Sequence, residues 1–572
     1  MVPQPFRVSS AFTATVVAVF LSANALVGIG SCVSCTKTES ETTTIPASQP
    51  GGTLRLPIDA DLLTLDPIHI TDVRSAAVAR QVYSTLVRFD GNLELIPDLA
   101  ESWEVSPDGL RFTFNLKQGA KFHNGREVTA EDFVYSFTRL ADPGEASERA
   151  NLLRDVAGYQ EFREGKTGHL YGISAPERYI FQIELARPYS PFLMTLAMVN
   201  FAVVSSGTSE AAAEEQSQGQ KSNLTGTGPF RLADWLSGSI RLEANAEYFK
   251  GAPYLDAVLY KVIPDANAQL EAFVDDELDA TNIPIGKLGG IRKNEELYGQ
   301  FHHKELLAIQ VYVFNMKKEP WQDRLFASKT TLRQALNYAV NREYIAEEIL
   351  ESRYKPLIGI IPPALAEWYN PAVRDGPRYG YDVNEARRLL EVSGHPQGMF
   401  FPETTRLLHD GYSEQPEIAS QIQAFFRDVS VKAKLEAADS AVFLEKIREG
   451  NFSVARGNYA ADYPDPDAFL WRLLSSENSG VYGNWSRWQN DDFDTLIEQA
   501  RAELDPGKRR LLYWQAERIA LDEAPWLFLF TQTANILLKP EVKGITISGM
   551  DIDASFPNND LSRVFIVKPD AS

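Results

Sequence analysis

The chain has 572 residues, of which 44% are hydrophobic, 23% charged and 11% aromatic. This apolar content excludes a disordered, collagen-like or coiled-coil protein, and the length predicts more than one folding unit. The formal net charge of −21 argues against nucleic acids and anionic lipid surfaces as partners, because both would be repelled.

The first residues have the pattern of an export signal. Arg7 precedes an apolar stretch over 11–29, which is typical of a secretory signal; an uncleaved anchor of the same length is the alternative. The sequence IGSC at 29–32 resembles the bacterial lipoprotein signal, an aliphatic and two small residues before a lipidated cysteine. We therefore expect a lipoprotein signal peptide over 1–31 and an acylated Cys32, against an ordinary signal peptide with incidental cysteines.

The next segment, residues 32–50, is rich in Ser, Thr, Glu and Pro and predicts a flexible tether. Cys32 and Cys35 are the only cysteines. The sequence therefore excludes a disulfide within the folded body and a cysteine-rich metal site.

From Gly51 onward, strand-like and helix-like patterns alternate without a repeat, which predicts a mixed α/β body. Residues 111–116 alternate apolar and polar side chains and predict a half-buried strand. Thr129 and Asp132 stand three residues apart before an apolar run, so they predict a helix that starts with a capping box.

Four further helices are predicted in the second half of the chain. Apolar residues at helical spacing indicate an amphipathic helix over 331–350. Asp382 is expected to cap a helix that stops at Gly394. Helical patterns also fill 491–504 and 508–523, the first with carboxylates on its outer side.

Three common catalytic motifs do not occur in the sequence. Gly165-Lys166-Thr167 looks like part of a phosphate-binding loop, but Gln160 stands where that motif needs a glycine. Neither a G-x-S-x-G elbow nor an H-E-x-x-H zinc helix occurs. A carboxylate pair for glycoside hydrolysis stays open, because its spacing is three-dimensional.

The region 96–136 carries the most specific signal in the chain. It begins with IPDLAESW at 96–103 and continues with SPDG at 106–109, GAKFHNG at 119–125 and VTAEDFVYS at 128–136. Further matches are TGPF at 227–230, NAEYFKG at 245–251, LRQAL at 332–336 with NR at 341–342, and FSVARGNYAADYPDP at 452–466. In this order the segments resemble the extracytoplasmic solute-binding proteins of ABC importers that bind oligopeptides, dipeptides and nickel complexes.

The resemblance implies a bilobal α/β fold of the periplasmic-binding-protein type (class II), in which hinge strands join two lobes. Lobe I would comprise 51–264 and the returning segment 526–572, with an extra subdomain at about 92–185. Lobe II would comprise 265–525.

The implied function is capture of oligopeptides in the cleft between the lobes and their delivery to the transmembrane permease of an ABC importer. We expect a monomer outside the cytoplasm, in the periplasm or at the cell surface, anchored by its N-terminal lipid. The resemblance implies no catalysis, no metal and no cofactor. The alternatives are a nickel or other metal chelate, another small solute, or an exported hydrolase.

The same resemblance assigns ligand-binding residues around the A-D-Y triplet at 461–463. In oligopeptide-binding relatives its Asp takes the peptide's α-ammonium, so Asp462 is the main candidate, with turn formation as the alternative role. Arg456 is implied to help hold the peptide's C-terminus; an ion pair with a surface acid is the alternative. Tyr459, Ala460 and Tyr463 are expected to line the same part of the cleft.

Overall fold

The computed structural model describes residues 51–205, 225–318, 320–321, 329–373, 378–402, 404–411, 414–480 and 483–567. The predicted signal peptide (1–31), the tether (32–50) and the lipidation site Cys32 lie outside the described residues. Within those ranges, every helix is too short or too polar to cross a membrane.

The strands of the described residues are numbered in chain order. They are β1 (Thr53–Ile58), β2 (Val87–Phe89), β3 (Leu95–Pro97), β4 (Ala100–Val105), β5 (Arg111–Leu116), β6 (Ile173–Glu177), β7 (Ile180–Glu184), β8 (Phe230–Leu236), β9 (Ser239–Ala244), β10 (Ala257–Val262), β11 (Ala280–Asn282), β12 (Phe301–Phe314), β13 (Lys355–Pro356), β14 (Arg406–Asp410), β15 (Lys434–Ala438), β16 (Val454–Ala460), β17 (Trp526–Leu538), β18 (Val542–Lys543) and β19 (Phe565–Ile566).

The α-helices are numbered in the same way. They are α1 (Val73–Val82), α2 (Ala130–Ala141), α3 (Tyr159–Arg163), α4 (Phe192–Thr195), α5 (Ala266–Val274), α6 (Leu288–Ile291), α7 (Glu295–Tyr298), α8 (Lys329–Ala339), α9 (Arg342–Tyr344), α10 (Val383–Val392), α11 (Gln415–Asp428), α12 (Ser440–Glu449), α13 (Leu470–Leu474), α14 (Asp491–Ala502) and α15 (Pro506–Glu523). Short 3₁₀ turns connect several of them, among them Ala150–Leu153 and Pro466–Ala468, and a π-helical turn spans Ile345–Ile349.

Three larger sheets contain most of the described strands, and β2-β3 and β18-β19 form two-stranded sheets. One has the order β1-β10-β9-β8, with β1 parallel to β10 and the other pairs antiparallel. A second, antiparallel sheet has the order β4-β5-β7-β6. The largest has the order β11-β17-β12-β16-β14-β15, with β13 added on β17. Helices pack beside the sheets, as expected for a mixed α/β body.

The long antiparallel strands β12 and β17 extend from one hydrophobic core to another. At one end, Leu306 and Ile536 pack in the core that also contains β1, β8, β9 and β10. At the other end, Phe314 and Leu527 pack in the core with α8, α10 and α11. A strand pair shared in this way joins two bodies of the fold. The exact lobe boundaries, after residues 264 and 525, stay predictions.

Several local predictions are confirmed. Strand β5 buries Phe112, Phe114 and Leu116 on one face, as its alternation predicted. Thr129 and Asp132 form the capping box at the start of α2. Asp382 caps α10 through hydrogen bonds from two backbone N–H groups, and α14 and α15 occupy the two predicted C-terminal helical segments.

The predicted helix over 331–350 is wrong in its extent. Helix α8 ends at Ala339, and Asn341 adopts an extended conformation in which its side chain accepts a hydrogen bond from the Tyr344 N–H. Such a side-chain cap competes with continuation of the helix. The buried Arg342 fixes the break, because its guanidinium donates to the carbonyls of Asn337, Val340 and Tyr379.

Candidate functional site

Strand β16 carries the chain from the interior of the largest sheet to the candidate site. It pairs along its whole length with β12, placing Ala460 opposite Ala308. The next amide, of Ala461, donates to the carbonyl of Leu307 at 2.8 Å, and Asp462 follows directly. A regular strand held by its neighbour therefore fixes the backbone at the position of Asp462.

Two neighbouring cavities, which share Thr71 and Arg149 in their walls, lie beside this turn. The larger has a volume of about 1000 Å³ and lies between residues 146–187 on one side and 444–485 on the other. The smaller, of about 110 Å³, is lined by Ala460, Ala461 and Asp462 together with side chains from 70–80, 198–200 and 550–558. Both cavities thus lie between segments that the sequence assigns to different lobes.

Asp462 lines the smaller cavity and contacts two arginines, Arg149 and Arg472, that line the larger one. Its side chain is 22% exposed, and its Oδ2 lies 3.3 Å from Nη1 of Arg472 and 3.6 Å from Nη1 of Arg149. Burial would raise the pKa of Asp462, but Arg472, Arg149 and Arg80 together hold that pKa below its ordinary value. The carboxylate is therefore ionised at neutral pH.

The three arginines come from distant parts of the chain. Arg80 lies in the last turn of α1, Arg149 stands just before the turn Ala150–Leu153, and Arg472 lies in α13. None of the three is predicted from the sequence, because none belongs to a motif and only tertiary packing brings them together. They make this end of the cleft rich in positive charge.

Arg456 has a different surrounding. On β16 it donates from Nη2 to Oδ2 of Asp410 at 2.6 Å, and its guanidinium lies 5.7 Å from the ring centroid of Phe443. It lines neither of the two cavities beside Asp462. The structure thus gives Arg456 an ion pair, although with the buried Asp410 and not with a surface acid, and its contact with a peptide stays a prediction.

The other three candidate residues differ in their surroundings. Ala460 is exposed and lines the smaller cavity. The ring of Tyr459 lies between those of Trp485 and Trp526, with centroid distances of 5.3 and 6.1 Å. Tyr463 is buried, and its hydroxyl donates to Oδ2 of Asp467 at 2.9 Å. Only Ala460 and Asp462 of the predicted set therefore line the smaller cavity.

A buried polar network lies behind Asp462. Arg501 lies 3.1 Å from Asp155 and 3.3 Å from Asp467, and the hydroxyl of Tyr189 donates to Asp467 at 3.0 Å. Asp155 and Tyr189 belong to the predicted lobe I, whereas Arg501 and Asp467 belong to the predicted lobe II. The structure therefore has these segments in direct contact.

Among the described residues, no cluster of three or more His, Cys, Asp or Glu side chains could hold a metal ion.

This architecture defines a class of protein: a bilobal α/β molecule that encloses a solute between its halves, as in extracytoplasmic solute-binding proteins. The family model described as bacterial extracellular solute-binding proteins, family 5 (Middle), matches residues 94–481, and the chain belongs to this family.

Individual relatives are similar over most of their length. The dipeptide-binding protein of Escherichia coli is 30% identical over 82% of this chain and 86% of its own. Heme-binding protein A of Haemophilus influenzae is 29% identical over 84% of this chain and 87% of its own. The structure of the E. coli murein tripeptide binding protein MppA matches with a TM-score of 0.79 at 26% identity, covering 92% of this chain and all of that one. The bilobal α/β fold class predicted from the sequence is confirmed.

Proposed function

We propose that this protein is the extracytoplasmic substrate-binding protein of an ABC importer, which captures peptides between its lobes and delivers them to a membrane permease. The observation that carries the proposal is the placement of Asp462, an ionised carboxylate in the wall of the smaller cavity, whose partners Arg149 and Arg472 line the larger one. A desolvated peptide α-ammonium requires such a carboxylate.

The backbone beside Asp462 also fits an extended ligand. Strand β16 pairs with β14 only at Val454 and Ala455, whereas it pairs with β12 as far as Ala460. Among the described residues, the other edge of 456–460 therefore has no strand partner. A peptide can add to such an edge through main-chain hydrogen bonds, which give affinity without reading every side chain.

Binding and closure are coupled in this proposal. A ligand that touches both halves favours the conformation in which they meet, and the closed form is the one that docks on the permease. The contacts of Arg501 with Asp155 and of Tyr189 with Asp467 provide the protein's own part of that closed interface. We assign no catalytic step to the protein, because its function requires only binding and release.

We further propose that the protein is a monomer tethered to the membrane by a lipid on Cys32. The support is the IGSC sequence at 29–32 and the polar segment 32–50. Metabolic labelling with a radioactive fatty acid tests this: the native protein should become labelled, and Cys32→Ala should not. Equal labelling of both proteins would refute the anchor.

Two measurements on the purified protein test the peptide ligand. Native mass spectrometry should detect co-purified peptides, which denaturation releases intact, and calorimetry should detect binding of synthetic peptides. Heme and a nickel chelate are titrated in parallel. Binding of either without binding of peptides would overturn the proposal in favour of another solute, and cleaved peptides would overturn it in favour of a hydrolase.

A further inference from the structure

The larger cavity has a charge opposite to that of the protein as a whole. Three carboxylates line it, those of Glu148, Asp155 and Glu477. Six arginines oppose them: Arg149, Arg154, Arg163, Arg187, Arg448 and Arg472. The chain has a net charge of −21, so a positive cavity is not a consequence of its average composition. A positive wall that excludes part of the solvent favours ligands that carry negative charge.

The charge of Asp462 is already compensated within the protein. Arg472 and Arg149 both lie within 4 Å of its Oδ2, and Arg80 adds a third favourable interaction. A peptide α-ammonium that approached Asp462 alone would also meet these three guanidinium groups. Like charges this close repel one another, so the ammonium needs an accompanying anion.

Arg149 has unused capacity for that anion. Its only ion pair among the described residues is the long one to Asp462, and its buried Nε has no hydrogen-bond partner there. Burial lowers the pKa of Arg149 even though Asp462 and Glu148 oppose this change. A buried guanidinium that is incompletely paired gains free energy when a carboxylate reaches it.

Arg80 is in a similar state on the facing wall of the smaller cavity. Its Nη1 donates to the carbonyl of Ala197 at 3.1 Å, and no carboxylate of the described residues lies within ion-pair distance. Asp72, the other carboxylate of this wall, caps α1 through the Ser75 N–H and lies 3.9 Å from Arg74. Both contacts use Oδ1; the buried Oδ2 of Asp72 has no hydrogen-bond partner among the described residues, and Asp72 forms no ion pair with Arg80.

We propose that the preferred ligand is a peptide whose first residue is Asp or Glu. Its α-ammonium pairs with Asp462, and its side-chain carboxylate pairs with Arg149 and Arg80. The two charges of such a residue lie a few ångströms apart, as do the carboxylate of Asp462 and the guanidinium of Arg149. This inference rests on the proposed peptide-binding function and specifies its substrate class.

Calorimetry with matched peptides tests the inference. Alanine-based peptides of two to six residues are made in three versions that differ only in the first residue, which is Glu, Gln or Lys. The affinities of the three versions are then compared. A charge-assisted pair predicts that the Glu peptide binds about tenfold or more tightly than the Gln peptide, and that the Lys peptide binds most weakly. The advantage of Glu should shrink as salt is added, because salt screens the pair.

A variant pair locates the effect. Arg149→Gln should reduce the Glu-to-Gln affinity ratio towards one, whereas Arg111→Gln, which changes an exposed arginine outside both cavities, should leave it intact. Equal binding of Glu and Gln peptides to the native protein would overturn the acidic preference while leaving peptide binding in place. Absence of binding by every peptide would instead overturn the proposed function.

Discussion

Arg501 and Asp155 form a buried ion pair with 3.1 Å between Nη2 and Oδ2, although 345 residues separate them in the chain. Their side chains are only 4% and 5% exposed. Asp155 also accepts from Arg187 at 2.7 Å. One carboxylate therefore neutralises cations from both of the segments that meet behind the candidate site.

Asp155→Asn should lower the free energy of unfolding by about 3–5 kcal/mol, because it leaves Arg501 buried without one of its anions. Urea denaturation measures this loss. The control is Glu184→Gln, which breaks an exposed pair with Arg111 (side chains 56% and 58% exposed) and should cost less than about 1 kcal/mol. Similar losses in the two variants would mean that the buried pair has no special role.

His123 should make stability sensitive to acid. Its Nε2 lies 3.0 Å from the carbonyl of Gly228 and donates to it, since a carbonyl only accepts. Burial lowers the pKa of His123 to about 4, with a further lowering by Arg231 and an opposing effect of the hydrogen bond. The unfolded chain therefore binds a proton first, and stability falls as the pH drops from about 6.5 to about 4.

The loss due to His123 amounts to about 3 kcal/mol over that range, from about 1.4 kcal/mol for each unit by which the pKa is lowered. Urea denaturation at pH 7 and at pH 4 measures it. His123→Gln keeps a donor for the carbonyl of Gly228 and should reduce the difference between the two pH values. His169→Gln, at an exposed position, should not. An unchanged pH dependence in His123→Gln would refute the assignment.

The TGPF segment requires a glycine at position 228, because the end of α1 leaves no room for a side chain there. A Cβ at this position would lie 2.5 Å from the carbonyl oxygen of Gln81 and 2.8 Å from the amide nitrogen of Tyr83, both at the end of α1. Backbone atoms of a helix end cannot move aside at low cost, so Gly228→Ala should destabilise the fold by about 1–3 kcal/mol. Gly168→Ala, where nothing lies within 4 Å, is the matched control in thermal unfolding. Equal melting temperatures of the two variants would contradict this.

The elements that were predicted correctly depend on local chemistry. The capping box of Thr129 and Asp132 and the N-cap Asp382 act within three residues of their helix, so their effect can be read from the sequence. The helix predicted over 331–350 is too long, because the break after Ala339 depends on Arg342, whose hydrogen-bond acceptors include the distant Tyr379. Tertiary contacts of this kind override helical periodicity.

The same distinction applies to the site. A family motif pointed to Asp462, and the structure places that residue in the wall of the smaller cavity. Nothing in the sequence pointed to Arg80, Arg149 or Arg472, because each belongs to a different element and only the packed fold directs them towards one carboxylate. Arg456 illustrates the converse: its motif was clear, but its partner Asp410 lies on β14 and could not be identified before the sheet order was known.

Asp462→Asn should weaken the binding of peptides with a free amino terminus by about 2–5 kcal/mol, because the α-ammonium loses its buried anion and still faces three guanidinium groups. Calorimetry with each peptide and its N-acetylated form measures the effect, and the acetylated form should lose much less. Asp492→Asn, at an exposed position of α14, serves as the control. Unchanged affinity of Asp462→Asn for free peptides would remove this carboxylate from the binding site.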